Sequence, residues 1–462
     1  MKNTIAVLGG GGARTPLLIH GLAGAQDVLR TGELALFDPA ARNVETMAAL
    51  GRAIAEPAGI RVTVAGSAAE AVEGARFVVS CVRPGGIEAR ARDERIVIEH
   101  GYTGQETTGP GGLAMALRTI PVALEHARLV EGLAPHAWLI NFTNPAGMIT
   151  QAIRTHTGAR VIGICDTPAE LFHRIAWSLG LPFEEMEFRY AGLNHLGWVR
   201  AVLWRGTDVT ERLLADDEAL LRLYPARLFE PEMIREMRLI PTEYLYFYYG
   251  AGRALDNQRA AGASRGEEIA HMNARLFDRL ASDLESDGAE AALRTYKDYL
   301  NARNASYMKL EGNAESALGQ GTHEWDPFEG ATGYHRIAVE VMTALAGAAR
   351  EVVVNVRNDG AIPELRGDDV VEVPSAIDEN GARPMRTGPL PAEVEGLVMA
   401  VKEYERLAIR AAVEGRFELA CLALMTNPIV GEWAPAVRLM EALVDADAEG
   451  LGYLRESVVE RR

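Results

Sequence analysis

Cys165 and Asp166 stand side by side after a short apolar run, and a histidine follows later in Gly192-Leu193-Asn194-His195-Leu196-Gly197-Trp198. A thiolate and an imidazole are donors for borderline-soft divalent cations, and two protein donors leave coordination positions open for a substrate. The next residues, Thr167-Pro168-Ala169-Glu170, spell a capping box with proline at the first helical position. Thr167 is therefore expected to cap a helix that ends near Gly180. Cys165 and Asp166 would then sit before a positive helix end, a field that favours thiolate and carboxylate. The competing readings are a buried, inert cysteine and a His195 that serves as metal ligand or as proton acceptor.

A second cluster is Gly9-Gly10-Gly11-Gly12-Ala13-Arg14-Thr15-Pro16, between an apolar run at 4–8 and an apolar helix. Glycines there permit a tight turn and let a pyrophosphate approach N–H groups at a helix start. Asp38, roughly 25 residues beyond them, is placed to bind an adenosine ribose. Arg14 replaces the third glycine of the usual fingerprint. Glycines alone read equally as a dinucleotide site or a plain turn, but with the run before and the acid after they point to a dinucleotide site. Its expected members are Gly9, Gly10, Gly11, Gly12, Arg14, Thr15, Asp38 and Arg83. Arg83 follows a run at 77–82, with Arg90, Arg92, Asp93 and Glu94 beyond it, and Thr143-Asn144-Pro145 follows a run at 138–142. Open parallel sheets bind ligands at such strand ends, although each residue singly reads as a turn or cap.

The elements that position these groups follow from periodicity. Short apolar runs at 4–8, 33–37, 61–65, 77–82, 138–142 and 160–164 alternate with helical patterns such as 42–54 and 117–133. That rhythm predicts βαβ units and a parallel sheet covered on both faces. Beyond Tyr190 it gives way to helical stretches at 267–282, 290–301, 335–348, 392–414 and 434–445, with short strands near 352–356 and 370–373. The expected fold is α/β, a Rossmann-like doubly wound parallel sheet over 1–190 that binds the dinucleotide. A mainly helical α+β domain over 191–462, as in lactate/malate dehydrogenases, would carry the substrate side. No repeat or low-complexity linker separates the halves.

The chain has 462 residues and a formal net charge of -17, from 47 Lys+Arg against 64 Asp+Glu. Phosphate backbones and anionic membranes require clustered positive charge, so neither is an expected partner. A small anion needs only local cations or a helix start. Three scattered cysteines, Cys81, Cys165 and Cys421, suit a reducing compartment rather than a disulfide framework. The first apolar run is too short for a signal peptide and none spans a bilayer, so a cytoplasmic location is expected.

Taken together, the motifs Gly9–Pro16, Gly104-Gln105-Glu106-Thr107-Thr108-Gly109-Pro110-Gly111-Gly112, the stretch 141–147, the stretch 163–168 and Gly192-to-Trp198 resemble, in order, those of family 4 glycoside hydrolases. Val352-Val353-Val354-Asn355, Val370-Val371-Glu372-Val373-Pro374 and Lys402-Glu403-Tyr404-Glu405 extend the resemblance over nearly the whole chain. It implies an exception to two-carboxylate glycoside hydrolysis. NAD⁺ takes hydride from sugar C3, a base removes the acidified C2 proton, the aglycone leaves, water adds, and the hydride returns. A divalent metal, typically Mn²⁺, polarises the C3 and C2 oxygens.

The resemblance further implies roles. Cys165 and His195 would bind the metal; Arg90, Glu106 and Asn144 would meet the sugar; Arg265 could hold a sugar phosphate. Asp166, at a position that varies with substrate, and Tyr244 are the candidate catalytic groups. Tyr244, in Ile240-Pro241-Thr242-Glu243-Tyr244-Leu245-Tyr246-Phe247-Tyr248-Tyr249, is the expected C2 base, with Tyr246, Tyr248 and Tyr249 as rivals. The segments 105–112 and 192–198 resemble the 6-phospho-β-glucosidase branch, whereas Cys165-Asp166 is familiar from 6-phospho-α-glucosidases. The segment 311–333 departs from the family pattern. A homodimer or homotetramer is implied. A hydroxy-acid dehydrogenase would share the glycine loop, Asp38 and a late histidine, and a catalytically silent NAD sensor is a further alternative.

Overall fold

The computed structural model describes residues 3–312, 326–330 and 333–455. Most of the divergent segment 311–333 lies outside them. The strands are β1 (Asn3–Leu8), β2 (Thr31–Phe37), β3 (Arg61–Val64), β4 (Phe77–Ser80), β5 (Trp138–Asn141), β6 (Arg160–Gly163), β7 (Met186–Leu193), β8 (Leu196–Trp204), β9 (Thr207–Asp208), β10 (Ile240–Pro241), β11 (Arg350–Arg357), β12 (Val370–Asp378) and β13 (Gly381–Pro384).

The order β3-β2-β1-β4-β5-β6 forms a parallel array. This is the doubly wound dinucleotide order, with a crevice beside β1 where the winding reverses. Ile5, Ala6, Val7 and Leu8 are wholly buried, as both faces of β1 are covered by helices.

The sheet does not stop at β6. β11 pairs with it antiparallel, followed by β12, β7, β8 and β10, so one 13-stranded sheet carries both halves of the chain. The boundary drawn at residue 190 falls within β7.

One transverse row crosses the seam: Gly163 of β6, Asn355 of β11, Glu372 of β12, Gly192 of β7 and Gly197 of β8 lie successively opposite one another. A Cβ on Gly163 would strike the Thr150 hydroxyl and lie 2.8 Å from Asn355 Cβ. A Cβ on Gly197 would strike the Tyr190 hydroxyl. Glycine in this row makes room for polar side chains inside the sheet.

The long periodic stretches are helices, among them Ala41–Ala55 and Ala392–Glu414. The one expected at 117–133 begins earlier and spans Gly109–Leu133. Its opening, Gly109-Pro110-Gly111-Gly112, reads as a loop but packs against the preceding turn. A Cβ on Gly112 would lie 2.5 Å from the Thr107 carbonyl carbon, and proline is tolerated in a first turn. Among the described residues no helix is long and apolar enough to cross a membrane.

Candidate active site

The carboxyl ends of β1, β4, β5 and β6 open into a cleft of about 1590 Å³. Its first wall is the glycine loop. Gly9 adopts a φ of 90°, and a Cβ there would lie 2.5 Å from the Cys81 carbonyl oxygen. A Cβ on Gly11 would lie 2.9 Å from Asp38 Cγ. Instead the Gly11 N–H donates to Asp38 Oδ2 at 3.1 Å, and the Ala40 N–H donates to Oδ1 at 2.9 Å. Burial raises the Asp38 carboxyl pKa against these two bonds. No side chain caps the helix Thr15–Gly24, and an uncapped helix start attracts a phosphate. Gly9, Gly11, Gly12, Arg14, Thr15 and Asp38 line the cleft. Gly10 packs beneath it, where a Cβ would lie 2.9 Å from Leu36 Cβ.

The cleft is also lined by Cys165, His195 and Tyr244. Cys165 follows β6, His195 occupies the turn between β7 and β8 with a φ of 60°, and Tyr244 lies in the 3-10 turn Glu243–Leu245. The His195 and Tyr244 rings stack, with centroids 3.8 Å apart and planes 4° from parallel. His195 Nδ1 lies 2.8 Å from the Thr107 hydroxyl oxygen, which leaves Nε2 for a ligand in the cleft. Burial lowers His195 to about 4, so its imidazole is neutral and has a lone pair to offer a cation.

Burial, then Glu372 and Asp166, pushes the Cys165 thiol well above its ordinary value. A bound divalent cation deprotonates such a thiol outright. Among the described residues no three His, Cys, Asp or Glu side chains gather as a metal cluster. Cys165 and His195 both line the cleft, and a sulfur and an imidazole nitrogen are donors of the kind that suits a borderline-soft cation.

The capping expectation is corrected. Asp166, not Thr167, is the N-cap of Thr167–Leu179, and no side chain caps that helix. The Thr167 hydroxyl turns instead towards Glu243 Oε1, at 3.4 Å. The helix does end at Gly180, with a φ of 64°. Asp166 Oδ2 faces Arg14 Nη1 at 3.8 Å across the cleft.

Arg83 and Arg90, expected on the cofactor and substrate sides, form one unit. Both pair with Glu106, at 2.6 and 2.8 Å, and Arg90 also donates to Glu94 at 2.8 Å. Burial works to raise the Glu106 carboxyl, but Arg83 and Arg90 carry it well below the usual carboxylate range. Asn144, just past the carboxyl end of β5, lines the cleft as well. Arg265 opens the helix Arg265–Ser286 and is held by Glu268, Ser306 Oγ at 2.6 Å and the Arg303 carbonyl at 3.0 Å.

Of the four candidate tyrosines, Tyr244 lines the cleft. Tyr246 is buried elsewhere and donates to the Glu311 carbonyl at 3.0 Å. Tyr307 and Glu170 escaped the sequence reading. Tyr307 interacts with Tyr244 and donates to Glu243 Oε1 at 3.1 Å. It comes from the end of a helical stretch with no local signal of function. Glu243 was visible beside Tyr244 but carried no sign that it would be buried. Glu170 was read only as part of a capping box, yet burial, then Asp166 and Glu243, pushes its carboxyl up to about 8.

These shifts predict a pH response of the metal-free chain. Glu170 and Glu372 are raised to about 8 and about 7, both mainly by burial. Their stabilising contribution is complete below the unfolded value and is lost as pH rises through the folded one. His195 and His335, lowered by burial to about 4, gain stability only up to about 6.5. The melting temperature should therefore fall between about pH 6.5 and 8, and Glu170→Gln should flatten that slope. A melting temperature that is level or rising over this interval in the parent chain contradicts the assignment.

A glycine loop at the end of β1 and the side chains of Cys165 and His195 thus line one cleft of a Rossmann-type sheet. Residues 4–181 match the family model described as family 4 glycosyl hydrolase, and residues 190–430 match its C-terminal domain. The chain belongs to this family. It is 29% identical over 477 residues to the Escherichia coli (strain K12) 6-phospho-beta-glucosidase, covering 99% of this chain and 98% of that one. The Thermotoga maritima 6-phospho-beta glucosidase, solved with manganese, NAD+ and glucose-6-phosphate, matches with a TM-score of 0.81 at 26% identity, over 97% and 98% of the two chains. A 6-phospho-alpha-glucosidase from gut microorganisms, solved with NAD and glucose-6-phosphate, matches with a TM-score of 0.76 at 26% identity, over 98% and 99%. A lactate dehydrogenase from Eimeria maxima shares the fold alone, with a TM-score of 0.50 at 15% identity, over 90% and 96%. Family membership displaces the dehydrogenase reading.

Proposed function

We propose that this chain hydrolyses 6-phospho-β-glucosides, using NAD and a divalent cation, Mn²⁺ by preference, through transient C3 oxidation. The observation that carries the reading is the single cleft onto which the glycine loop, Asp38, Cys165, His195 and Tyr244 all open. Residues 1–190 hold the dinucleotide, and 191–462 supply His195, Tyr244 and Arg265. When bound, NAD⁺ supplies a hydride acceptor and the cation supplies Lewis acidity towards the sugar oxygens.

The chain's own residues do the rest. The glycine loop and the start of Thr15–Gly24 bind the pyrophosphate, Asp38 binds the ribose, and Arg83 borders the dinucleotide. Glu106 keeps Arg83 and Arg90 fixed at the cleft, so Arg90 meets the sugar already oriented. Asn144 binds sugar hydroxyls, and Arg265 binds the 6-phosphate as a charge-assisted pair. Tyr244 Oη takes the C2 proton as the phenolate, after giving up its own proton, and Arg14 and Arg90 are the cations that favour that ionised form. Burial and Glu243 raise its pKa, while Arg14 and Arg90 lie within coulombic reach of its oxygen. Asp166 faces the reacting sugar beside Cys165. The protein works in the cytoplasm as a homodimer or homotetramer.

The α-anomer is the second reading, favoured by the Cys165-Asp166 pair. Release of p-nitrophenol from the α and β glucoside 6-phosphates, with NAD⁺ and Mn²⁺ each omitted in turn, tests both. Cleavage of the β-substrate that requires both additions and accumulates no NADH is expected. Cleavage of the α-substrate alone reverses the anomer, and cleavage of neither removes the function.

A further inference from the structure

Two glycines of the transverse row lie close in sequence to Cys165 and His195. Gly163 lies two residues before Cys165, and Gly192 lies three before His195. Between them, at the centre of the row, stands Glu372, only 1% exposed. Three side chains converge on its carboxylate. Tyr190 donates to Oε2 at 2.7 Å, while Asn194 and Asn355 donate to Oε1 at 3.1 and 3.0 Å. A buried carboxylate is costly unless its lone pairs are occupied, and here both oxygens accept hydrogen bonds.

Asn194 is the link to the chemistry. It precedes His195, whose φ of 60° is uncommon for a residue with a side chain. Its Oδ1 accepts from the Gly147 N–H at 3.4 Å, and a Cβ on Gly147 would lie 3.0 Å from Asn194 Cβ. One amide side chain thus ties the His195 turn to the segment that follows Asn144-Pro145, and Glu372 holds that amide from below.

We propose that Glu372 is a positioning residue for the cation site, acting through Asn194 to set the His195 turn against Asn144. The inference rests on Cys165 and His195 being the cation donors. The Val370-Val371-Glu372-Val373-Pro374 segment, far in sequence from either donor, thereby gains a function. Outer partners that orient a metal-binding histidine are typically worth about 10–100-fold in affinity.

The test is titration of Mn²⁺ into the NAD-loaded enzyme, followed by electron paramagnetic resonance, with NAD affinity measured alongside. Glu372→Ala should weaken Mn²⁺ binding by about 10–100-fold and leave NAD affinity unchanged. Glu372→Gln should restore it, because its oxygen accepts from both asparagines and its amide donates to Tyr190. Mn²⁺ binding by Glu372→Ala at the parent affinity overturns the inference. A loss in the glutamine variant as deep as in the alanine variant also overturns it, since charge rather than position would then be responsible. If Glu372→Ala does not fold, Asn194→Ala carries the same expectation, and unchanged affinity there overturns it. Cys165→Ser is the separating arm. Full Mn²⁺ affinity in that variant refutes the donor assignment itself, and the inference with it.

Discussion

Cys165→Ser is expected to abolish glycoside cleavage and to weaken Mn²⁺ binding more than the roughly 100-fold that loss of an outer partner brings. Donor number and donor softness both decide this. The cleft offers a sulfur and an imidazole, and among the described residues no third His, Cys, Asp or Glu joins them as a cluster. A serine hydroxyl is harder, does not ionise near neutrality and projects less far than sulfur. NAD affinity should hold, because the glycine loop and Asp38 rest on β1 and β2 rather than on β6. Isothermal titration with Mn²⁺ and with NAD⁺ checks both halves. Turnover and Mn²⁺ affinity unchanged from the parent would remove Cys165 from the site.

Tyr244→Phe should slow C2 proton abstraction by roughly 10²–10⁴-fold, the usual worth of a positioned general base. The phenyl ring keeps the stack on His195, so Mn²⁺ and NAD⁺ should bind as before. What disappears is the hydroxyl beside Tyr307, which itself donates to Glu243. Incorporation of solvent deuterium at C2, measured against total cleavage, isolates the step. An unaltered exchange rate would pass the role to another group at the cleft.

The parallel half of the fold was legible because its strands are short, apolar and flanked by turn chemistry. Each of the runs at 4–8, 33–37, 61–65, 77–82, 138–142 and 160–164 corresponds to a strand, with ends shifted by one or two residues. The extension of the sheet was not legible. β11 and β12 were visible as short strands, but nothing local shows that Asn355 pairs with Gly163 or Glu372 with Gly192.

The site divides in the same way. The site residues expected from the motifs, Gly10 apart, open onto one cleft. What escaped were long-range partners: Tyr307 against Tyr244, Glu106 between two arginines, and Glu372 beneath Asn194. The capping box failed for a related reason. Thr167-Pro168-Ala169-Glu170 has the right spacing, but Glu243, distant in sequence, attracts the threonine hydroxyl. Burial of the Cys165 thiol, which raises its pKa in the metal-free chain, is a tertiary property that a helix start does not reveal.

A single sheet running through both halves also limits how the enzyme can move. Many two-part enzymes close on their ligands like a book, bending at a hinge between rigid leaves. Here the spine of such a book would be β6, β11, β12 and β7, which are paired across the seam. Bending there would break backbone pairing and strip the partners from a buried carboxylate. Opening the seam would separate Asn355 from Gly163 and Glu372 from Gly192, the residue pairs that join the two halves of the sheet there.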